Sequence, residues 1–598
     1  YMMAWFYKII NYFTTMSIEQ SAVLFPVFMF ALTVIAFFLF VKEAFSENLG
    51  HLKASIIALI SSLFFSIIPS LLPRTIAGIP EKESAAFLFM FLSFYFFIKA
   101  WRSKTTKSSI FLGLLAGLAT GAMALSWGGA IYVFDTISIT LLIAFIIGKM
   151  DMNKVYSTSI WFAVSILLMT VFTAGRYLSF LQNIQGLLPL LIIVSALFSL
   201  VVYPKISHRY KDKKIILNLP PPIFSILVVS ILAVIVIGII VGPSFIISNI
   251  NSVKDNIIQP IRDRLGVTVA ENRQPFFTEW GSDFGPYIKG IPVYFWLFFI
   301  GSAYLFWNML SQLNKKNRYI LVLSYVVFLL AIIFSRYSPS SIFNGTNLAS
   351  TSFYVIGVLL LLGTFWNYYY KDYKSNDTDK WKNIEIGIIL IFSFFILAIL
   401  GARSAVRLIM LLGPPTSIIV GYFVVSLSAH LGAKKENSSK IIPWIVIAIV
   451  IVSSMFSAYA FYQGSTNLAR GYAPNIYTQQ WQKAMSWVRD STPPDAVFSH
   501  WWDYGYWVQS IGERATVLDG GNAIAYWNHF MGRYALTGTS DRAALEFLYA
   551  HNVTHFLIDS TDIGKYSAFS TIGSDENYDR ASWIASFEKN SQNSRETK

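Results

Sequence analysis

Apolar runs of roughly the 20 residues that a helix needs to cross a bilayer fill most of the first 462 positions. They lie near 20 to 42, 53 to 73, 84 to 101, 109 to 126, 128 to 148, 157 to 174, 186 to 203 and 221 to 246. After a long polar interval they resume near 291 to 311, 318 to 335, 350 to 369, 384 to 401, 405 to 430 and 441 to 462. Past 462 the pattern changes to short mixed segments broken by Pro493-Pro494 and Gly520-Gly521. Ala515 to Leu518 and His555 to Ile558 read as strands, while Tyr477 to Val488 and Ser540 to His551 read as amphipathic helices. The pattern predicts a polytopic α-helical membrane domain of about 12 to 14 spans over 1–462, followed by a mixed α/β domain over 463–598.

Composition supports that division. Of 598 residues, 55% are apolar and only 13% are charged, which places the chain among multi-span membrane proteins. Cysteine is absent, so disulfides, thiol catalysis and Cys-based metal sites are excluded. The net charge of +14 reads as nucleic-acid affinity in a soluble protein, but here it follows the loops. Alternating the spans puts Arg102, Lys104 and Lys107; Lys149 and Lys154; Lys205 to Lys214; Lys315, Lys316 and Arg318; Lys371 to Lys382; and Lys434, Lys435 and Lys440 on one side. The positive-inside rule makes that side cytoplasmic. Loops 74–83, 175–185, 247–290 and 336–349, and everything after 462, are then external, in a multi-pass protein of the cell membrane with no nucleic-acid partner.

The tail opens with His500-Trp501-Trp502-Asp503-Tyr504-Gly505-Tyr506-Trp507. Two indoles, a carboxylate and a glycine turn form a shallow apolar wall with one acceptor in it, suited to gripping a short extended peptide; an aromatic turn in a small domain also reads as core. Trp501-Trp502-Asp503-Tyr504-Gly505 resembles the WWDYG signature of the catalytic subunit of oligosaccharyltransferase, the enzyme of asparagine-linked glycosylation, and is most similar to the single-subunit archaeal form. The resemblance implies that the motif holds the Ser or Thr two residues after the acceptor Asn. Asp562-Ile563-Gly564-Lys565 resembles the DxxK motif that flanks this pocket, with Phe569 where the family often has Met or Ile, so Asp562 and Lys565 join the expected peptide site.

The remaining candidates lie in the external loops. Loop 74–83 ends in Glu81-Lys82-Glu83, and two carboxylates one residue apart at a membrane surface can supply oxygen ligands to Mg²⁺ or Mn²⁺; a charged helix start is the plain alternative. Their surroundings resemble the family's second acidic motif, usually Asp-x-Asp or Asp-x-Glu. Thr268-Val269-Ala270-Glu271 resembles the family's TIxE motif, whose Glu contacts the acceptor asparagine. Arg407, inside a membrane segment, is a functional candidate by default and resembles the family's arginine in a VRL setting. It is expected to grip a lipid phosphate; snorkelling to the interface is the plain alternative, more so for Arg403 than for Arg407. The family's first acidic motif, in the first external loop, has no counterpart here beyond Glu19. Since the chain starts at Tyr1 rather than Met and stops in a polar run, both ends are expected to be cut short.

The resemblance therefore implies a metal-dependent transferase. It would move an oligosaccharide from a polyprenyl (dolichol-type) phosphate or pyrophosphate carrier to Asn in Asn-x-Ser/Thr of an acceptor protein or peptide. Another polyprenyl-phosphate-sugar glycosyltransferase would share the loop acids without needing a Ser/Thr pocket, and a lipid or solute transporter would carry its acids near the bilayer midplane. The chain has external sequons of its own at Asn344-Gly345-Thr346 and Asn552-Val553-Thr554, and others at Asn376 and Asn437 in loops sorted as cytoplasmic.

Overall fold

The structure is a computed structural model that describes residues 2–173, 175, 180–209, 219–258, 270–432, 441–472, 478–582 and 584. The chain divides into two units, one of residues 1–258 with 274–468 and one of 259–273 with 469–598. Among the described residues of the first unit, twelve helices are long and apolar enough to cross a membrane. In chain order they and their shorter companions are α1 (Met2–Phe13), α2 (Ile18–Ile67), α3 (Lys82–Arg102), α4 (Thr106–Ser126), α5 (Ile131–Ile146), α6 (Met152–Phe172), α7 (Ile184–Leu197), α8 (Pro221–Ile240), α9 (Phe277–Phe284), α10 (Val293–Met309), α11 (Lys315–Phe334), α12 (Leu348–Lys374), α13 (Ile386–Ser404), α14 (Gly413–Gly432) and α15 (Ile441–Tyr472).

Every predicted apolar run coincides with a helix. The first two differ from expectation in how they are joined: the polar stretch after position 42 continues α2 as helix, and the chain turns only at Gly50, whose φ of 75° and ψ of 163° interrupt it. The cause is electrostatic. Glu43 and Glu47, one turn apart on the same face, both meet Arg102 at 3.1 and 2.9 Å, so this polar turn is held as helix. Polar groups buried between spans are paired as a dry interior requires: Ser93 and Thr120 share a hydrogen bond of 2.8 Å, and the Trp161 indole donates to Thr120 at 2.9 Å.

The 21 residues of α3 give the bundle two ends, roughly 30 Å apart. Around its last residue, Arg102 gathers Glu43, Glu47 and Glu385, while Lys149 donates to the Ile384 carbonyl. Around its first turn stand Arg74, Glu81, Glu83 and Arg407. The structure thus collects at one end the segments that span parity sorts together as the basic side, and at the other the acidic loop.

The second unit is built on a three-stranded parallel sheet of β1 (Val497–Ser499), β2 (Ala515–Thr516) and β3 (His555–Phe556) in the order β2-β1-β3. The helices α16 (Gln479–Ser491), α17 (Gly505–Ser510), α18 (Asp541–Ala550) and α19 (Asp562–Gly573) accompany it. The two expected strands and two expected helices are present, the strands shorter than predicted. The central strand was not anticipated: Ala496-Val497-Phe498 is too short an apolar run after Pro493-Pro494 to declare itself.

Candidate active site

In the first unit, the acidic loop leaves a 3₁₀ turn (Leu72–Arg74) and enters α3 with Glu81 as its N-cap, in extended conformation. The Glu81 carboxylate accepts from Arg74 at 3.2 Å and is half-exposed. Glu83 lies in the first turn and is only 2% exposed. One of its oxygens lies 4.0 Å from the Arg407 guanidinium; the other, Oε2, is buried with no hydrogen-bond partner among the described residues. A buried carboxylate oxygen left open costs free energy unless something cationic or donating meets it. Arg407 sits in the 3₁₀ segment Val406–Leu412 that interrupts α13 and α14, set off by Ala405 in extended conformation. Arg403 does not snorkel. It donates to the Ile332 carbonyl at 2.8 Å and the Ser335 hydroxyl at 2.6 Å, closing the end of α11, and lies over the Tyr354 ring at 5.1 Å.

Tyr354 also lines an apolar slot of about 600 Å³ between α5, α11, α12 and α13. Its α13 wall runs through Ile389, Phe392, Ile396 and Leu400, a helix length of roughly 16 Å.

In the second unit, strand direction explains why two motifs sixty residues apart meet. β1 and β3 are parallel, so both segments that leave their carboxyl ends emerge at the same edge, where open sheets form crevices. From β1 comes Trp501-Trp502-Asp503-Tyr504-Gly505; from β3 comes the turn into α19 with Asp562 and Lys565. The Lys565 ammonium contacts Asp503 at 2.7 Å and donates to the Tyr504 hydroxyl at 3.0 Å; that hydroxyl donates to Asp562 at 2.6 Å. Burial alone would pull Lys565 down, but its bonds to Asp503 and Tyr504 outweigh this and raise it above its ordinary value. Burial, then the bond to Asp562, pushes the Tyr504 hydroxyl up.

The aromatic wall divides in two. Trp501 and Tyr504 are 3% and 5% exposed and belong to the core with Leu518, Met531 and Phe569; Trp502 is half-buried and Asp503 exposed. The reading of the turn as core therefore holds for one pair and leaves Trp502 and Asp503 open. Phe569 does not face outward: it packs under Trp501 at 4.6 Å between centroids. Gly505 is required, because a Cβ there would fall 2.4 Å from the Leu518 carbonyl oxygen and 2.5 Å from Asp519 Cα.

Glu271 lies in a short 3₁₀ turn (Ala270–Asn272) and is exposed; Thr268 and Val269 of its motif lie outside the described residues. Among the described residues no three His, Cys, Asp or Glu side chains cluster as a metal site, so Glu81 and Glu83 supply two carboxylates and no third.

Residues 1–272 match the family described as oligosaccharyl transferase STT3, N-terminal. The dolichyl-diphosphooligosaccharide–protein glycosyltransferase subunit stt3 of Schizosaccharomyces pombe is 22% identical over 522 residues, 85% of this chain and 62% of that protein. The similarity to STT3 proteins therefore runs over most of this chain, at low identity. Archaeal oligosaccharyltransferase AglB from Archaeoglobus fulgidus, in complex with an inhibitory peptide and a dolichol-phosphate, has the same fold, with TM-score 0.61 and 15% identity over 95% of this chain and 62% of that one. A second structure of the Archaeoglobus fulgidus enzyme, in complex with Zn and sulfate, matches with TM-score 0.55 and 14% identity, covering 95% of this chain and 60% of that one. The chain thus spans less than two thirds of the length of these relatives.

Sequence reasoning passed over two side chains. His500 is fully buried, its Nδ1 2.7 Å from the Trp501 carbonyl and its Nε2 without a hydrogen-bond partner among the described residues, and burial holds it below its ordinary value. Its place before the motif was visible, its burial was not. Asp135 is an acid inside a span, a signal available from sequence. It lies in α5 one turn before Ile139, on the stripe of Ile139, Ile143 and Ile146 that walls the slot.

Proposed function

We propose that the chain transfers an oligosaccharide from a polyprenyl (dolichol-type) phosphate or pyrophosphate carrier to the Asn of Asn-x-Ser/Thr sequons in acceptor proteins, on the extracytoplasmic face of the cell membrane. The observation that carries this reading is the pairing of open Asp503 with Lys565 beside Tyr504, at the carboxyl edge of the sheet. It leaves a carboxylate and an indole exposed to a peptide and everything behind them buried. A glycosyltransferase without a peptide acceptor has no use for that arrangement.

The chemistry follows from the acceptor. A carboxamide nitrogen is a poor nucleophile because its lone pair is shared with the carbonyl. Glu271, accepting from the side-chain amide, would hold it and weaken that sharing. Asp503 would accept from the Ser or Thr hydroxyl, and a site built on such a bond rejects residues that lack it. Arg407 would bind the carrier phosphate, and its neighbour Arg403 lies over Tyr354, where the apolar slot offers a course for the isoprenoid chain. The unpartnered buried oxygen of Glu83 fits a divalent cation, Mn²⁺ or Mg²⁺, with Glu81 as the second carboxylate of an incomplete set. When bound, such a cation would neutralise charge on the departing phosphate.

The test is transfer to a fluorescent Asn-x-Thr peptide by purified protein with host lipid extract and Mn²⁺, beside an Asn-x-Ala peptide and Glu271→Gln. Product that requires both the Thr and Glu271 supports the reading. Lipid-linked donor present with no product from any peptide would overturn it.

A further inference from the structure

Two of the chain's sequons lie on the face that span parity makes external, and their surroundings separate them. Asn344 follows a hairpin at the end of α11, in which Arg336 and Asn344 bridge and Tyr337 N–H donates to the Phe343 carbonyl at 2.7 Å. This loop stands at the end of the bundle that bears Glu83: Ser335 and Ile332 hold Arg403, and Arg407, four residues on, approaches Glu83. Asn344 Oδ1 accepts three hydrogen bonds, from Thr346 N–H at 3.0 Å, the Thr346 hydroxyl at 3.2 Å and Asn347 N–H at 3.0 Å. Its Nδ2 donates none among the described residues. The Asn and Thr of the sequon therefore face one another on a turn in which Asn344 is half-buried and Thr346 exposed. The bonds that hold the sequon run to Asn347, to Ser350 at the start of α12 and to the Arg336 bridge, so lifting it out opens this loop and breaks no sheet.

The other sequon is built into the sheet. Thr554 N–H donates to the Val497 carbonyl at 2.9 Å and its hydroxyl accepts from Val497 N–H at 3.0 Å, while Val553 packs on the core of the tail. Presenting Asn552 in an extended sequon would unzip β3 from β1. Asn376 lies between α12 and α13, in the segment that runs to Glu385 and Arg102 at the opposite end of the bundle.

We infer that Asn344 is itself an acceptor, glycosylated in trans by a second copy of the chain. This rests on the transferase reading above. The step forms a bond from Asn344 Nδ2 to the anomeric carbon of the lipid-linked oligosaccharide. It breaks that carbon's bond to the carrier phosphate, which leaves with the electron pair, and releases one amide proton to the carboxylates and solvent of the site.

The experiment mixes wild-type protein with a tagged Glu83→Gln chain as acceptor, host lipid extract and a fluorescent Asn-x-Thr peptide, and maps glycopeptides of the tagged chain by mass spectrometry. Oligosaccharide mass is expected on Asn344 of the tagged chain and not on Asn552. Asn344→Gln and Thr346→Ala in that chain abolish it, while peptide transfer in the same tube is unchanged. Peptide glycosylated with Asn344 bare, or glycan on the active chain alone, overturns this inference and spares the transferase reading. Neither acceptor glycosylated, with donor present, overturns both.

Discussion

Replacing Glu83 by Gln separates a functional from a structural role for the acidic end. The carboxylate is 2% exposed, and one oxygen lies 4.0 Å from the Arg407 guanidinium, whose side chain is 39% exposed. After solvent screening, that attraction is worth at most about 1 kcal/mol. The second oxygen is buried without a partner, which costs about 1 to 3 kcal/mol. Removing the charge while keeping the shape is therefore expected to leave the thermal midpoint of the apo protein unchanged or raised. Transfer is a different matter: taking away one preorganised group that stabilises charge in the transition state costs about 10² to 10³ in kcat. The assay is initial-rate transfer to a fluorescent Asn-x-Thr peptide at saturating Mn²⁺, alongside thermal unfolding in detergent without metal. Glu81→Gln is the control, and its loss is expected to be smaller because Glu81 is half-exposed and already engaged by Arg74. Full activity in Glu83→Gln, or a drop in the midpoint that parallels the drop in rate, would refute the reasoning, since either means that the buried carboxylate holds the helix start rather than the reaction.

Gly505→Ala forces a Cβ within 2.4 Å of the Leu518 carbonyl oxygen and should cost the tail about 1 to 3 kcal/mol, read as lost amide-exchange protection around β2 together with a raised peptide KM. Lys565→Met should raise peptide KM more than it lowers kcat, and a double-mutant cycle with Asp503→Asn should return a coupling of about 0.5 to 1 kcal/mol; zero coupling would detach the DxxK motif from the site. Arg407→Gln should weaken use of the lipid-linked donor and leave peptide KM unchanged, measured by varying each substrate separately. Burial lowers His500 below its ordinary 6.5, so the unfolded chain takes up the proton first as pH falls: the stability of the tail is complete above that value and is lost as pH drops toward the folded one, a dependence that His500→Gln should flatten in denaturant titrations.

The membrane unit was legible because hydrocarbon imposes one solution on long apolar runs, and charge in the loops fixed their parity. The join at Gly50 was not legible, because whether Glu43 and Glu47 continue a helix depends on Arg102, some sixty residues away. In the tail, the strands flanking the centre announced themselves, whereas Val497–Ser499 is strand only because neighbours pair with it on both sides. The resemblance to the DxxK motif brought Asp562 and Lys565 forward as candidates, but their meeting with Asp503 depends on β1 and β3 being parallel. Exposure was the quantity least accessible to sequence: nothing in the string of letters distinguishes Trp501, in the core, from Trp502, half-open beside it.

That distinction bears on how such a motif does its work. In Trp501-Trp502-Asp503-Tyr504-Gly505 the first indole and the phenol are committed to the core, the glycine admits the chain at β2, and only Trp502 and Asp503 remain for a ligand. On the proposed reading the recognition surface is small and rests on buried neighbours: Trp501 packs on Phe569, Tyr504 stacks on Trp481 at 5.1 Å, and Asp503 is paired with the lysine that also bonds to Tyr504. Changes at buried positions of the motif should therefore alter peptide affinity and domain stability together, while changes at Asp503 should alter affinity alone. On the proposed reading, a site organised in this way would keep its acceptor carboxylate fixed before the peptide arrives, so that little of the binding energy is spent on ordering it.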